Sequence, residues 1–175
     1  ALDADGTRLG VKRAFSLDLA YGDDENDFEL RLAETDSVPL HGYVYVDGTE
    51  LGGVVDCPGA NATGDVPVST WSGRTWTGIL ARSVVVPTGD HYQMSGDAHA
   101  AMAALVAAQG LDGVFSVPSA PSGYQPSYRV PRFADAYSAM RGALASVGAR
   151  LEVERRNGTT WLSAVPSVAH HATGR

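Results

Sequence analysis

The first half of the chain alternates between apolar and polar positions. Between Val11 and Leu19, Phe15, Leu17 and Leu19 fall on one face, with Ser16 and Asp18 on the other. The acidic stretch Gly22-Asp23-Asp24-Glu25-Asn26 reads as a turn. Phe28, Leu30 and Leu32 then alternate with Glu29 and Arg31 and complete a first hairpin. Gly42 to Val46 is rich in Tyr and Val and runs into Asp47-Gly48, a short-hairpin signal, with Glu50 to Asp56 as the returning strand. Gly52 and Gly53 inside that strand mark a bulge or a close backbone approach. Residues 57–66 read as a polar Pro/Gly loop. Val66 to Val86 then reads as one bent strand or two short ones carrying Trp71, Trp76, Ile79 and Leu80, with Gly73 and Gly78 as bend points. Pro87-Thr88-Gly89-Asp90 closes the segment as a turn.

Beyond this turn the period changes. Met102, Leu105, Val106 and Gln109 recur at helical spacing, which predicts a helix over 97–109, with Ser95 as N-cap, Asp97 in the first turn and Gly110 as the stop. Residues 118–127 form a second Pro/Ser/Gly loop. Tyr137, Met140, Leu144 and Val147 form one stripe of a second helix over 134–147, ended by Gly148. Leu151 to Glu154 and Thr159 to Val165, joined across Asn157-Gly158, predict a closing hairpin. Strands followed by helix, connector, helix and hairpin define an α+β chain with an antiparallel sheet. The expected organisation is an N-terminal arm over 1–9, one domain over 10–165 with a helical lobe at 96–148, and a tail or linker over 166–175.

Composition removes several function classes. With 175 residues the chain needs no metal or disulfide staple to build a core. A formal net charge of −7 argues against a general grip on nucleic acid. The mixed-sign cluster Arg150, Glu152, Glu154, Arg155 and Arg156 reads as a solvated strand end. Cys57 is the sole cysteine, which excludes an intramolecular disulfide, and it reads as a small hydrophobe. No apolar run approaches the roughly 20 residues that a membrane helix needs. The first residues, which carry neither a signal-peptide pattern nor an initiator Met, are expected of a trimmed chain.

Candidate chemistry is sparse. There is no phosphate-cradling glycine motif and no Gly-x-Ser-x-Gly elbow, so Ser72 reads as structural. His41, His91, His99, His170 and His171 form no His-x-x-x-His pair, and His91 and His99 flank the first helix too far apart in sequence to converge easily. Asp3-Ala4-Asp5-Gly6 and Asp23-Asp24-Glu25-Asn26-Asp27 offer oxygens for Ca²⁺, but the later ligands of a calcium loop are missing and both read as solvated turns. The expectation is no catalytic residue, no cofactor and no metal. A peptidoglycan hydrolase acting through paired carboxylates and a carbohydrate-binding module using Trp71 and Trp76 stand as the alternatives.

The order of motifs along the chain resembles the N-terminal hub domain of siphophage and prophage tail-tip proteins. Asn26-Asp27-Phe28-Glu29-Leu30 is similar to that family's early strand, and Thr49 to Asp56 to its Thr-Glu-Tyr-Gly-Gly-Ile-hydrophobic-Asp hairpin. Gly73-Arg74-Thr75-Trp76-Thr77-Gly78-Ile79-Leu80 with Val84 to Pro87 matches its most distinctive stretch. Ser95-Gly96-Asp97-Ala98 opens the helix as the family's Ser-Gly-Asp-Ala-Asn does, with His99 in place of the Asn. Tyr128 to Phe133, Tyr137 and Gly148-Ala149-Arg150-Leu151 follow in order, so the resemblance covers roughly residues 12–166.

The resemblance implies an antiparallel, β-barrel-like sheet of the tail hub or tube type with two packed α-helices. It also implies a virion structural role at the tail tip, or baseplate hub, below the tail tube. The expected partners are further copies in a homotrimer and the distal tail, tube and tape-measure proteins, with no nucleic acid and no membrane insertion. C-terminal host-interaction modules would follow this domain. The expected assembly interface lies on the Gly42–Val55 hairpin and the Gly73–Val86 strand. It comprises Tyr43, Tyr45, Trp71, Arg74 and Trp76, because aromatic rings lie there beside glycines that permit close approach.

Overall fold

The computed structural model describes residues 10–11, 15–20, 26–33, 38–61, 68–87 and 89–167. In chain order the elements are β1 (Phe15–Leu19), β2 (Asp27–Ala33), β3 (Tyr43–Tyr45), β4 (Gly52–Asn61), β5 (Val68–Thr75), α1 (Trp76–Ala81), β6 (Tyr92–Ser95), α2 (Ala98–Ala108), β7 (Phe115–Ser116), β8 (Ser127–Val130), α3 (Ala136–Ala145), β9 (Ala149–Arg156) and β10 (Thr159–Pro166). They divide into two units, Ala1–Ser83 with Val153–Thr160, and Val84–Glu152 with Trp161–Arg175.

The first unit is a curled antiparallel sheet in the order β1-β2-β5-β4-β3. Its register explains why the apolar alternation reads so cleanly. Leu17 pairs with Leu30, which pairs with Trp71, and Leu19 pairs with Phe28, which pairs with Gly73. Each such row places its residues on the same face, and those side chains form one buried cluster with Val38, Val44 and Val55. Gly53 and Gly73 lie on this face where neighbouring backbones come close. A side chain at Gly53 would run into the Arg74 carbonyl, and one at Gly73 into the Val54 carbonyl. The glycines therefore mark a close approach, and a bulge follows between Val55 and Cys57.

Three expectations change here. Residues 57–61 continue β4 instead of forming a loop. Beyond Val55, β5 is the one strand among the described residues that pairs with β4, so Pro58 lies on a sheet edge, where proline is tolerated. Residues 76–81 leave the sheet as helix α1, because the Thr75 hydroxyl accepts from Gly78 N at 3.1 Å and caps it. The described residues thus hold three helices where two are expected. Cys57 is exposed, not packed as a small hydrophobe.

The second unit packs α2 and α3 around Met94, Met102, Leu105, Met140, Leu144 and Leu162, all buried. The N-cap of α2 is Asp97, two residues later than Ser95. Its carboxylate accepts from His99 N at 3.0 Å and from both the N–H and the hydroxyl of Ser122 at 2.9 Å. One side chain thereby caps a helix and pins the Pro/Ser/Gly loop, and these bonds hold its pKa below the usual carboxylate value against the opposing effect of burial. Gly110 stops the helix in the left-handed conformation, φ 67°. Two strands absent from the periodicity reading, β6 and β8, pair antiparallel. The closing hairpin forms as expected, with Asn157 at φ 51° and Gly158 at φ 77°, the signature of a tight Asn-Gly turn.

Candidate functional site

The five expected interface residues occupy three different settings within the first unit. Trp71 belongs to the inner face of the sheet, 4% exposed beside Leu30. Arg74 belongs to the opposite face and is locked to the bulged Asp56, Nε to Oδ2 at 2.6 Å and Nη2 to Oδ1 at 2.7 Å. This bidentate bond, with the guanidinium charge beside it, holds the Asp56 carboxyl below its ordinary pKa against the effect of partial burial. Tyr43, Tyr45 and Trp76 come together around a residue that the interface reading omits, Arg155.

Arg155 is 5% exposed, which corrects the reading of the 150–156 cluster as wholly solvated. Its guanidinium carbon lies 5.7 Å from the Tyr43 ring centroid, 5.0 Å from Tyr45 and 5.3 Å from Trp76. Nη1 donates to Thr160 Oγ1 at 2.7 Å. The backbone is tied too: Arg155 N donates to Thr49 O at 2.8 Å and Gly48 N to Arg155 O at 2.7 Å. Burial pulls the guanidinium pKa down, while Tyr45, Tyr43 and Asp47 counter it. The ring faces supply negative electrostatic potential in place of a carboxylate. Nε of Arg155 and Nε1 of Trp76 are both buried without a hydrogen-bond partner. Arg155 is therefore a clamp that holds the tip of the closing hairpin against β3 and α1. The rest of the charge cluster behaves as expected, with Arg150–Glu152 and Arg156–Glu154 pairs at the surface. Strand periodicity was the signal that could have found Arg155, since it shares a face with Leu151 and Val153.

The inner face of the same sheet is different. Phe15, Leu17, Leu30, Leu32, Val38 and Val44 line a groove of about 600 Å³ whose rim carries Tyr45, Asp47, Asn157 and Gly158. Among the described residues its lining holds one acid, Asp47, and apart from that acid, Phe15, Tyr45 and Asn157 it is aliphatic or glycine. In the second unit His99 is buried and bridges two backbone segments, with Nδ1 2.8 Å from Ala120 O and Nε2 accepting from Ala164 N at 3.1 Å. With Ala164 N donating to Nε2 and Nδ1 facing the Ala120 carbonyl, the ring ties two backbone segments together, a structural role. Among the described residues no group of three or more His, Cys, Asp or Glu gathers in a metal-holding arrangement. Asp3, Asp5, Asp23, Asp24 and Glu25, weighed above for Ca²⁺, and His170 and His171 lie outside the described residues. No helix among the described residues is long and apolar enough to cross a membrane.

No family model matches this sequence, and no curated protein is similar to it in sequence. Its architecture, an α+β fold built on a curled antiparallel half-barrel, is shared with phage tail proteins. Two of them are the tail protein from Neisseria meningitidis MC58 and the 43 kDa tail protein of prophage MuSo2 from Shewanella oneidensis. The first is 15% identical with a TM-score of 0.54, over 78% of this chain and 41% of that one. The second is 12% identical with a TM-score of 0.55, over 78% of this chain and 44% of that one. At such identities the likeness is one of fold, and the chain spans less than half the length of either protein. The expected fold class and the resemblance to phage tail proteins are borne out at that level.

Proposed function

We propose that this chain is a structural domain of a phage or prophage tail, assembled at the tail tip as part of the baseplate hub. The observation that carries the reading is the shared fold over 78% of the chain with two proteins described as tail proteins. The character of the first unit supports it. Two of its arginines serve as internal clamps, Arg155 among aromatic rings and Arg74 on Asp56, and the groove on its inner face is mainly apolar. Such a domain is suited to stiffness and surface contact, not to turnover. We further propose a homotrimer in contact with distal-tail, tube and tape-measure proteins, with C-terminal host-interaction modules following in the full-length protein. The exposed parts of Tyr43, Tyr45 and Arg74 belong to the assembly surface, and Trp71 and Trp76 stiffen it from behind.

The test is immunogold labelling of purified tails or phage particles with antibody against this domain, together with deletion of the gene. Label confined to the tail end, and particles lacking tips after deletion, support the reading. Particles that carry no label and assemble normally without the gene overturn it. Loss of turbidity of cell walls on incubation with the purified chain, abolished by a single Asp or Glu substitution, would overturn the non-enzymatic part alone.

A further inference from the structure

We infer that Phe133 is the knob, and the apolar groove of the first unit the socket, of a head-to-tail contact between copies of this chain. The inference rests on the structural reading only in that a tail ring repeats one subunit.

The knob stands on two observations. Phe133 is 85% exposed, the most exposed large apolar side chain among the described residues, and Val86 and Val84 are 73% and 50% exposed. The backbone ties these residues together, since Val85 N donates to Ala134 O at 2.9 Å and Val84 bridges Asp135. The second observation is conformational. Phe133 has φ 63°, the left-handed region, which a bulky side chain rarely occupies. Strain of this kind persists where the surroundings fix it, and it collects where a side chain must be presented.

The socket is the groove lined by Phe15, Leu17, Leu30, Leu32, Val38 and Val44, open among the described residues and roomier than one aromatic side chain requires. The rims carry opposite charge. Asp47 is exposed at the groove, and Arg132, next to Phe133, is exposed at the knob. An apolar knob flanked by a cation matches an apolar socket flanked by an anion, and both belong to one sequence. That complementarity commits the occupant to a second copy. The contact is heterologous, so each bound pair leaves one knob and one socket free, and a closed ring uses all of them. Three exposed side chains fall well short of the roughly 800 Å² per partner of a stable complex, so a single contact is weak and closure strengthens it.

The test is sedimentation of the 175-residue chain at concentrations up to about 1 mM. It uses a knob variant, Phe133→Asn, and a socket variant, Phe15→Asp; both positions are solvent-exposed, so circular dichroism should show folded chains. The unaltered chain self-associates, and each variant alone weakens association by about tenfold or more. Mixing the two variants restores 1:1 pairs, because the socket of one accepts the knob of the other. Arg132→Asp weakens association in a salt-dependent way. A monomeric unaltered chain, variants that associate normally, or a mixture that stays monomeric each overturns the inference. A monomeric chain whose full-length protein still labels phage tails sinks the contact and leaves the structural reading standing. A self-associating chain absent from tails does the reverse.

Discussion

Arg155 and Phe133 reverse the usual rule of burial in opposite directions. A guanidinium stands 5% exposed among aromatic rings, and a phenyl ring stands 85% exposed in solvent. Both arrangements carry a cost, desolvation of a charge in the first case and backbone strain in the second. The first cost is offset inside the chain, since Arg155 joins β3, α1 and β10 through three rings, a hydroxyl and two backbone bonds. Phe133, 85% exposed, gains little burial to offset the second. The comparison separates a residue kept for the fold from one kept for what the fold meets.

The largest effect tests the clamp. Arg155→Ala removes the stem, the charge and the Thr160 bond at once and leaves a cavity between rings, so it should cost about 3 kcal/mol in urea unfolding. Arg155→Met keeps the stem volume, removes a desolvated charge and relieves the orphaned Nε. It should lie within about 1 kcal/mol of the unaltered protein. If Met is as damaging as Ala, the cation–ring attraction carries the site instead of packing. Next in size is the second unit's buried polar bridge. His99→Ala leaves Ala120 O and Ala164 N without their partner and should cost about 2 kcal/mol. His99→Asn supplies one donor and one acceptor and should recover most of that loss. Amide exchange at Ala164 reports the difference directly.

A smaller effect concerns Arg74 on β5, which is held by a bidentate bond to the Asp56 carboxylate instead of by ring faces. Asp56 has a depressed folded pKa relative to 3.8, so its contribution is fully present above that value and is lost as pH falls through the folded one. The unaltered protein should therefore lose more stability than Asp56→Asn as pH drops below about 4, with a constant gap above about pH 5. Because the pair is part-exposed, the gap should be about 0.5–1 kcal/mol. Urea midpoints across this range check it, and parallel pH profiles for the two proteins would show that the pair contributes nothing.

How much of this was legible follows from what periodicity can carry. One face of the five-stranded sheet is buried, so alternation at Leu17, Leu19, Phe28, Leu30 and Leu32 announced the first two strands, whereas Trp71, expected at an assembly surface, lies on that buried face. Helix α1 has 6 residues, too few to show a period, and Gly78 within it resembled a bend, although Thr75 was in place as a cap. Gly78 is there because a side chain would meet the Asn26 carbonyl, a tertiary fact. Pro58 made a strand look like a loop, because whether a strand has one neighbour or two is not written locally. Arg155 was readable from its spacing to Val153, but the surrounding charges outweighed the alternation. The groove depends on how far a sheet curls, and the exposure of Phe133 on a turn with no period at all. The candidate site was therefore the least legible part: the aromatic rings were recognised, but the residue that organises them was not.

The smallest expected change has the sign that most sharply divides the two residues. Replacing a large apolar side chain usually destabilises a protein, because most of them are buried. Phe133→Asn should instead leave stability unchanged or raise it by up to about 1 kcal/mol, because asparagine tolerates the left-handed region and almost no burial is lost. Asn is the better choice over Gly, whose greater freedom in the unfolded chain would mask the relief. Thermal unfolding at a protein concentration low enough to keep the chain monomeric isolates this term. Repeating it at high concentration adds the term from association, so the advantage of the variant should shrink or reverse as copies of the unaltered chain stabilise one another. A loss of 2 kcal/mol or more at low concentration would mean that the ring packs internally after all, and Phe133 would then belong with Arg155 as a residue kept for the fold.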